Sequence, residues 1–236
     1  MVPRSIVHRH QTMPNTSGLP PLYASIRESR HASVFPFVAQ RLADIDCRRL
    51  LDFGGGDGVF LAGYLPSCVR EAYYYDIDAG IAAAARARQY ALQPRFLAGL
   101  DALQPASLDA ITMLGVWMHF RTEAQCIAEL ATLRRLLKAD GRLIAAVTHP
   151  CFRDEVFSTF KTDFDMQRYL APGSEFDVTI FDADASVTLR DTHWNLEAMS
   201  KQITRAGLAI AAIYERPDIE PARGAPWLIL ELAPAA

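Results

Sequence analysis

Short apolar runs alternate along the chain with segments in which apolar residues recur every three or four positions. The first pattern is typical of buried strands and the second of amphipathic helices. The predicted strands are residues 50–53, 73–77, 96–97, 108–114, 143–148, 208–214 and 227–232. Because helical segments separate most of these strands, the chain is predicted to adopt an α/β fold with a doubly wound sheet.

A glycine-rich stretch follows the first predicted strand. Residues 50–61 read LLDFGGGDGVFL, so an apolar strand leads into a tight turn, and apolar residues resume at Val59. Glycine allows positive φ angles and lets a ligand approach the backbone without a Cβ in the way. A dinucleotide fingerprint, G-x-G-x-x-G, starting at Gly54 would need glycine at position 59. The spacing here is instead D-x-G-x-G-x-G, beginning at Asp52.

A second acidic residue marks the end of the next predicted strand. Asp76 stands in the run YYYDI, 20 residues after Gly56. An acid at this point of a β-α-β unit can accept hydrogen bonds from the ribose hydroxyls of an adenosine. Ile77 would then lie against one face of the adenine. The glycine turn and this acid together predict an adenosine-binding site.

Composition narrows the classes of function. The chain has 236 residues, a net charge of −3 and no basic run that would suit nucleic acid or anionic lipid. Its four cysteines lack metal-ligand spacing, so we predict reduced thiols, no metal site and a cytoplasmic location. No apolar run is long enough to span a membrane, and the start of the chain lacks the apolar core of a signal peptide. Residues 1–20 are predicted to be a mobile arm, and residues 21–236 a single domain.

The run from Asp52 to Gly58 resembles motif I of the class I S-adenosylmethionine (SAM) methyltransferases. The segment LLKADGRL, residues 136–143, resembles the element that leads into the fifth strand in that family. The resemblance implies a Rossmann-like sheet of seven strands with an antiparallel last strand. It also implies a helical cap at residues 21–46 and SAM as the methyl donor.

Individual residues acquire roles from this resemblance. Tyr23 is expected to close over the methyl donor, and Arg30 or Arg27 to pair with its carboxylate. Asp101 is the candidate partner of the adenine amino group. The other predicted cofactor-binding residues are Asp52, Gly54, Gly56, Gly58, Asp76, Ile77 and Leu114, with a backbone N–H from Ala102 or Leu103.

Three histidines follow elements that end on the predicted active face. His119 comes after the strand at 108–114, His149 after the strand at 143–148, and His193 after a predicted hairpin. Each is a candidate catalytic residue, as a general base or a substrate contact. Contact with substrate is expected for either His149 or His193, because both border the predicted insertion after the strand at 143–148. A structural role is the alternative for each of them.

Residues 153–192 exceed what a minimal domain of this kind needs. They are rich in phenylalanine, and two β-rich runs flank the sequence Asp-Ala-Asp at 182–184, which indicates a hairpin. We predict an inserted helix and β-hairpin that form a roof over the substrate pocket. The alternative is a contact surface for a homodimer.

These patterns favour a methyltransferase that acts on nitrogen or oxygen of a small molecule, of the type found in secondary metabolism. The Asn/Asp-Pro-Pro-Tyr string of enzymes that methylate nucleic-acid amino groups is missing where GVWMHF follows the strand at 108–114. Transfer is expected to be direct and in line, since orientation supplies most of the acceleration. The alternatives are a non-catalytic SAM-binding or regulatory protein and, less favoured, a nicotinamide-dependent oxidoreductase.

Overall fold

Two β-sheets organise the computed structural model, which describes residues 30–181 and 186–235. The predicted arm at 1–20, and Tyr23 and Arg27, lie outside the described residues. The strands are β1 Arg49–Phe53, β2 Glu71–Tyr75, β3 Arg95–Phe96, β4 Leu108–Leu114, β5 Leu137–Thr148, β6 Phe160–Thr162, β7 Glu175–Phe181, β8 Ser186–Thr192, β9 Leu208–Arg216 and β10 Trp227–Pro234.

The larger sheet has seven strands in the order β3-β2-β1-β4-β5-β10-β9. Strands β1 to β5 are parallel, whereas β10 runs antiparallel to both β5 and β9. The predicted Rossmann-like sheet with an antiparallel last strand is therefore confirmed. The strand order reverses between β1 and β4, and ligands bind beyond the carboxyl ends of the strands at such a point.

Helices cover both faces of this sheet. They are α1 Phe35–Asp44, α2 Val59–Gly63, α3 Ala79–Arg86, α4 Glu123–Leu136 and α5 Leu196–Arg205, and a π-helical turn, Arg30–Val34, precedes α1. Val38 and Leu42 of α1 belong to one buried cluster, whereas Leu130 and Leu133 of α4 belong to another. Because both faces are covered, β4 is apolar along nearly its whole length instead of alternating.

The smaller sheet follows β5 and is antiparallel, in the order β6-β7-β8. The hairpin of β7 and β8 occupies the two predicted β-rich runs, and its turn lies outside the described residues. Where the sequence indicates a helix, the structure has β6 and a short 3-10 helix, Met166–Arg168. Phe157, Phe160 and Phe164 recur at helical spacing, but β7 offers a strand edge to which β6 adds by hydrogen bonding.

Two further classes of feature are missing from the described part of the chain. None of its helices is both long enough and apolar enough to cross a membrane. No group of three or more His, Cys, Asp or Glu side chains within 30–181 and 186–235 is arranged to hold a metal ion.

Candidate active site

The glycine turn connects β1 to α2 at the point where the strand order reverses. Gly54 has a φ of 69°, and a Cβ at this position would overlap the side chain of Val116. Gly56 has a φ of 56°, but no atom lies within 4 Å of the place where its Cβ would stand. One glycine is thus required by packing, while the other leaves open space beside the backbone for a ligand.

Asp76 lies directly after β2 and contacts the glycine turn. Its Oδ2 accepts a hydrogen bond from the backbone N–H of Gly56 at 2.9 Å, and its Oδ1 accepts one from the N–H of Asp78 at 2.8 Å. Each carboxylate oxygen has two lone-pair sites, so both can still accept from ribose hydroxyls. Burial raises the pKa of Asp76, and the two backbone donors oppose that rise. Beside it, Ile77 is 91% exposed and is open to an adenine ring.

Asp52 is buried near the end of β1. Its Oδ1 accepts a hydrogen bond from the hydroxyl of Thr112 at 2.7 Å, whereas its Oδ2 has no hydrogen-bond partner within the described ranges. Burial raises the pKa of Asp52 to about 7, against the opposing effects of Thr112 and the charge of Arg30. A buried carboxylate oxygen without a donor fits a ligand that brings its own N–H or O–H group. The residues around the turn therefore fit SAM, which carries an ammonium group and two ribose hydroxyls.

Arg30 reaches the carboxyl end of β4 from the π-helical turn. Its Nη1 donates a hydrogen bond to the carbonyl oxygen of Leu114 at 3.3 Å. The guanidinium also lies over the rings of Phe35 and Trp227, at 5.8 and 6.0 Å from their centroids. These contacts hold a positive charge beside the turn, where the carboxylate of SAM is expected.

Asp101 and Ala102 lie in a 3-10 helix, Leu100–Ala102, that follows β3. Both residues are exposed. Because β3 is next to β2 in the sheet, this helix lies on the same side of the switch point as Asp76. The adenine contacts of Asp101 and Ala102 stay predictions.

A cleft lies between the carboxyl ends of β4 and β5 and the smaller sheet. Its apolar wall is formed mainly by side chains of the smaller sheet together with Met118 and Trp227. Its polar groups come from both sides. The lining residues are Arg30, Gly115, Met118, His119, Thr148, Phe160, Val178, Ile180, Leu189, Asp191 and Trp227.

Of the three predicted histidines, only His119 lines this cleft. It lies in a 3-10 helix, Trp117–His119, and its side chain is 43% exposed. Its Nδ1 is 3.3 Å from Oδ1 of Asp191 on β8. No described residue makes a hydrogen bond to its Nε2, so that nitrogen is available to a ligand.

His149 and His193 are buried and already have partners. The Nδ1 of His149 accepts from the N–H of Cys151, and its Nε2 lies 3.0 Å from Oε1 of Glu215. Burial lowers the pKa of His149, against the opposing effect of Glu215. His193 accepts a hydrogen bond from Arg153, and burial lowers its pKa to about 4. These contacts fit structural roles, and the catalytic roles of both histidines stay predictions.

Two polar residues of the cleft were not singled out from the sequence. Thr148 is the last residue of β5, and Asp191 is the penultimate residue of β8. The position of Thr148 at the carboxyl end of a central strand is a signal that sequence reasoning can use. Asp191 gives no comparable signal, because its place in the cleft depends on how the smaller sheet packs against the larger one.

Comparison with known proteins gives one match to a protein family. Residues 51–143 match the family described as the methyltransferase domain. The chain carries a methyltransferase domain. With the fold, this match confirms the predicted class I methyltransferase family, the assignment as an enzyme and SAM as the cofactor. No curated protein sequence matches this methyltransferase.

Solved structures of low sequence identity share the fold of this methyltransferase. A SAM-dependent methyltransferase from Clostridium acetobutylicum is 11% identical, with a TM-score of 0.63, 92% of this chain covered and 95% of the other. A sugar N-methyltransferase from Streptoalloteichus is 14% identical, with a TM-score of 0.63 and coverages of 98% and 99%. An amino pentose methyltransferase from Micromonospora echinaspora, solved with SAM bound, is 15% identical, with a TM-score of 0.60 and coverages of 92% and 99%.

Proposed function

We propose that this protein transfers the methyl group of SAM directly to a nitrogen or oxygen atom of a small molecule. The proposal rests on one observation, which is that the cleft runs without a break from the switch point, where the methyl donor is expected, to the smaller sheet. The cleft borders Gly115, which follows β4 at the switch point, and extends beneath the apolar face of the smaller sheet. A pocket with apolar walls and a few convergent polar groups is typical of small-molecule sites.

Most of the residues of the site are assigned to binding, and one is assigned to proton transfer. SAM, when bound, supplies an electrophilic methyl group. Asp76 and Asp52 accept hydrogen bonds from the ribose and the ammonium group, and Arg30 pairs with the carboxylate. His119 offers Nε2 to a proton of the acceptor. The apolar side chains over the cleft exclude water and restrict the orientation of the acceptor.

Side-chain burial in the segment 153–192 supports the interpretation of this segment as a roof over the substrate pocket in preference to a dimer surface. Phe176, Val178, Ile180 and Val187 are each at most 7% exposed within a single chain. Their apolar surface is therefore already used against the core and the cleft. The large apolar side chains of this segment that stay exposed, Val156 at 68% and Leu170 at 79%, lie outside its strands.

The fold neighbours support a small acceptor and a role in secondary metabolism. One acts on an amino pentose in calicheamicin biosynthesis, and another methylates a sugar at nitrogen. Both are covered almost completely by this chain. A purely regulatory SAM-binding protein does not need an open, roofed cleft beside the methyl donor, and this one has such a cleft.

Calorimetric titration with S-adenosylhomocysteine (SAH) and, separately, with NADH tests the cofactor. SAH is expected to bind in the micromolar range, while NADH is expected not to bind. Asp76→Ala is expected to weaken SAH binding by about 100-fold, because hydrogen bonds from the ribose to a charged oxygen are lost. Asp78→Asn is the matched control, since asparagine still caps α3. Tight binding of SAH by Asp76→Ala would contradict the placement of the ribose.

Transfer of labelled methyl from SAM to small molecules tests the activity itself. Products are expected from amines or alcohols with an apolar portion. Binding of SAH without transfer to any member of a broad panel of amines, alcohols and amino sugars would favour the regulatory alternative.

A further inference from the structure

One oxygen of a buried carboxylate at the polar end of the cleft accepts no hydrogen bond from the described part of the chain. Asp191 on β8 is 4% exposed and lines the cleft. Its Oδ1 is inaccessible to solvent and accepts no hydrogen bond from any described residue. Leaving a buried charged acceptor without a donor costs free energy. Because Asp191 lines the cleft, a ligand bound there is placed to supply the missing donor.

The described side chains around Asp191 do not supply the hydrogen-bond donor that its Oδ1 lacks. Nδ1 of His119 lies 3.3 Å away from Oδ1 without forming a hydrogen bond to it. The charge of Asp191 acts on Arg153, but the guanidinium of Arg153 donates to Nδ1 of His193 and to Oγ1 of Thr148. No ion pair between Arg153 and Asp191 forms within the described ranges. Among the described residues, the charged or titratable groups that line the cleft are Arg30, which is assigned to the carboxylate of SAM, and Asp191 and His119, which remain for the acceptor.

We propose that the methyl acceptor is an amine, held by a hydrogen bond to Asp191 and deprotonated by Nε2 of His119. The proposal rests on the function proposed above and specifies its acceptor. An amine has more than one N–H group, so it can satisfy the carboxylate and the imidazole together. A hydroxyl has one proton and can satisfy only one of them. A carboxylate acceptor would bring a like charge next to Asp191, which is unfavourable.

The step balances with the groups present. The bound ammonium gives one proton to Nε2 of His119, which frees the lone pair of the nitrogen. That pair forms the bond to the methyl carbon, while the bond between carbon and sulfur breaks and its electrons go to sulfur. A second N–H stays hydrogen-bonded to Asp191 throughout. The product leaves as the N-methylated ammonium, and His119 returns its proton to solvent.

The apolar wall of the cleft determines which chemistry we expect in the rest of the acceptor molecule. Phe160, Val178, Ile180 and Leu189 face the cleft from the smaller sheet, and Trp227 faces it from β10. Apolar surface of the acceptor gains free energy by leaving water against these side chains. The amine is therefore expected to stand at one end of a largely apolar or ring-shaped molecule.

Matched sets of probes separate the amine from its alternatives. Amine, alcohol and carboxylate derivatives of phenyl, cyclohexyl and tetrahydropyran rings are titrated into the SAH-loaded protein, with calorimetry or ligand-observed NMR as the readout. The amine is expected to bind best on at least one scaffold, by about tenfold or more over its alcohol, because its hydrogen bond is charge-assisted. Asp191→Asn is expected to remove this preference while the affinity for SAH stays unchanged.

Two further variants test whether the preference for the amine depends on Asp191 in particular and whether His119 takes part in the transfer. Asp177→Asn removes a carboxylate from the same sheet, where Asp177 pairs with Arg190 at 3.2 Å and does not line the cleft. This control is expected to keep the preference for the amine. His119→Gln, at a partly exposed position, is expected to lower the kcat for a methylated amine by about 100-fold and to change KM much less.

The outcomes distinguish this proposal from the one on which it rests. Equal or better binding of the alcohols or carboxylates on all scaffolds would overturn the amine assignment. So would an undiminished amine preference in a folded Asp191→Asn variant. Absence of SAH binding by the wild-type protein would instead overturn the methyltransferase function, and the amine assignment with it.

Discussion

Asp52 shows at the level of one residue how burial changes the chemistry of a carboxyl group. Its pKa is raised to about 7 by burial, because only Thr112 donates to it directly among the described residues. The free protein thus holds this group near its midpoint at neutral pH. A ligand that donates to Oδ2 would favour the ionised form, and acidic pH is expected to weaken SAH binding for this reason.

This residue is also predicted to affect stability with a defined sign. In the unfolded chain Asp52 loses its proton near pH 4, whereas in the folded protein it does so at about pH 7. The folded state therefore binds more protons between these values, and stability contributed by this group falls as pH rises from 4 to 7. Asp52→Asn is expected to raise the Tm of the ligand-free protein by about 5 °C at pH 8 and little at pH 4.5.

Asp109 provides a control of opposite sign. Its pKa is lowered, since hydrogen bonds from Lys138 and from the N–H groups of Arg48 and Arg49 outweigh its desolvation. Asp109→Asn is expected to reduce the Tm at pH 8 and to matter less as pH falls below 4. An Asp52→Asn variant that lost Tm at pH 8 would contradict the assigned pKa.

The contacts of His193 predict a structural role for this residue. Its Nδ1 accepts from Arg153, and its Nε2 lies 2.9 Å from the carbonyl oxygen of Tyr169, to which it donates. Its pKa of about 4 keeps the ring neutral, so stability contributed by His193 is lost as pH falls from about 6.5 to 4. His193→Gln is expected to lower the Tm and to leave most of the kcat. A loss of kcat near the 100-fold of a removed general base would instead support the catalytic prediction.

At the scale of elements, Arg153 connects the smaller sheet to the larger one. Its side chain is buried and donates to Thr148 at the end of β5 and to His193 after β8. The guanidinium also lies 4.3 Å from the ring centroid of Phe176 on β7, and the carbonyl oxygen of Arg153 accepts from Thr162 on β6. One residue therefore contacts β5, β6, β7 and the segment that follows β8.

Replacing this residue is expected to loosen the roof before the rest of the protein. Arg153→Met removes both donors, and we expect a loss of about 2 to 4 kcal/mol in the free energy of unfolding. Hydrogen exchange should increase in β6, β7 and β8 and stay slow in β1 and β4. Arg223→Met, which removes an exposed ion pair with Asp154, is the control and should change exchange little. Uniform acceleration across both sheets would contradict the local role.

At the scale of the whole molecule, binding at the switch point is coupled to global stability. The proposed cofactor contacts come from the ends of β1, β2 and β4 and from the π-helical turn, so a ligand there would join several parts of the chain. SAH at about 1,000 times its Kd is expected to raise the Tm by about 8 to 16 °C. NADH at the same concentration should leave the Tm unchanged. An equal shift by both would contradict selectivity for the methyl donor.

The sequence alone predicted the part of the site that faces the methyl donor, because the residues concerned lie close together along the chain. A glycine turn and an acid at the next strand end need only the order of residues within one β-α-β unit, and the structure brings Gly56 and Asp76 into direct contact. The strand order followed from the family resemblance. The helix predicted within residues 153–192 is wrong, because the edge of β7 pairs with this part of the chain as β6.

The acceptor side depended on tertiary structure. The sequence favoured His149 or His193 as the substrate contact, yet packing leaves only His119 of the three in the cleft. Asp191 is brought to His119 by the way the smaller sheet folds over the larger one, and nothing in its local sequence records that contact. Contacts within a motif are set by nearby residues, whereas contacts between distant segments are set by burial and packing of the whole chain.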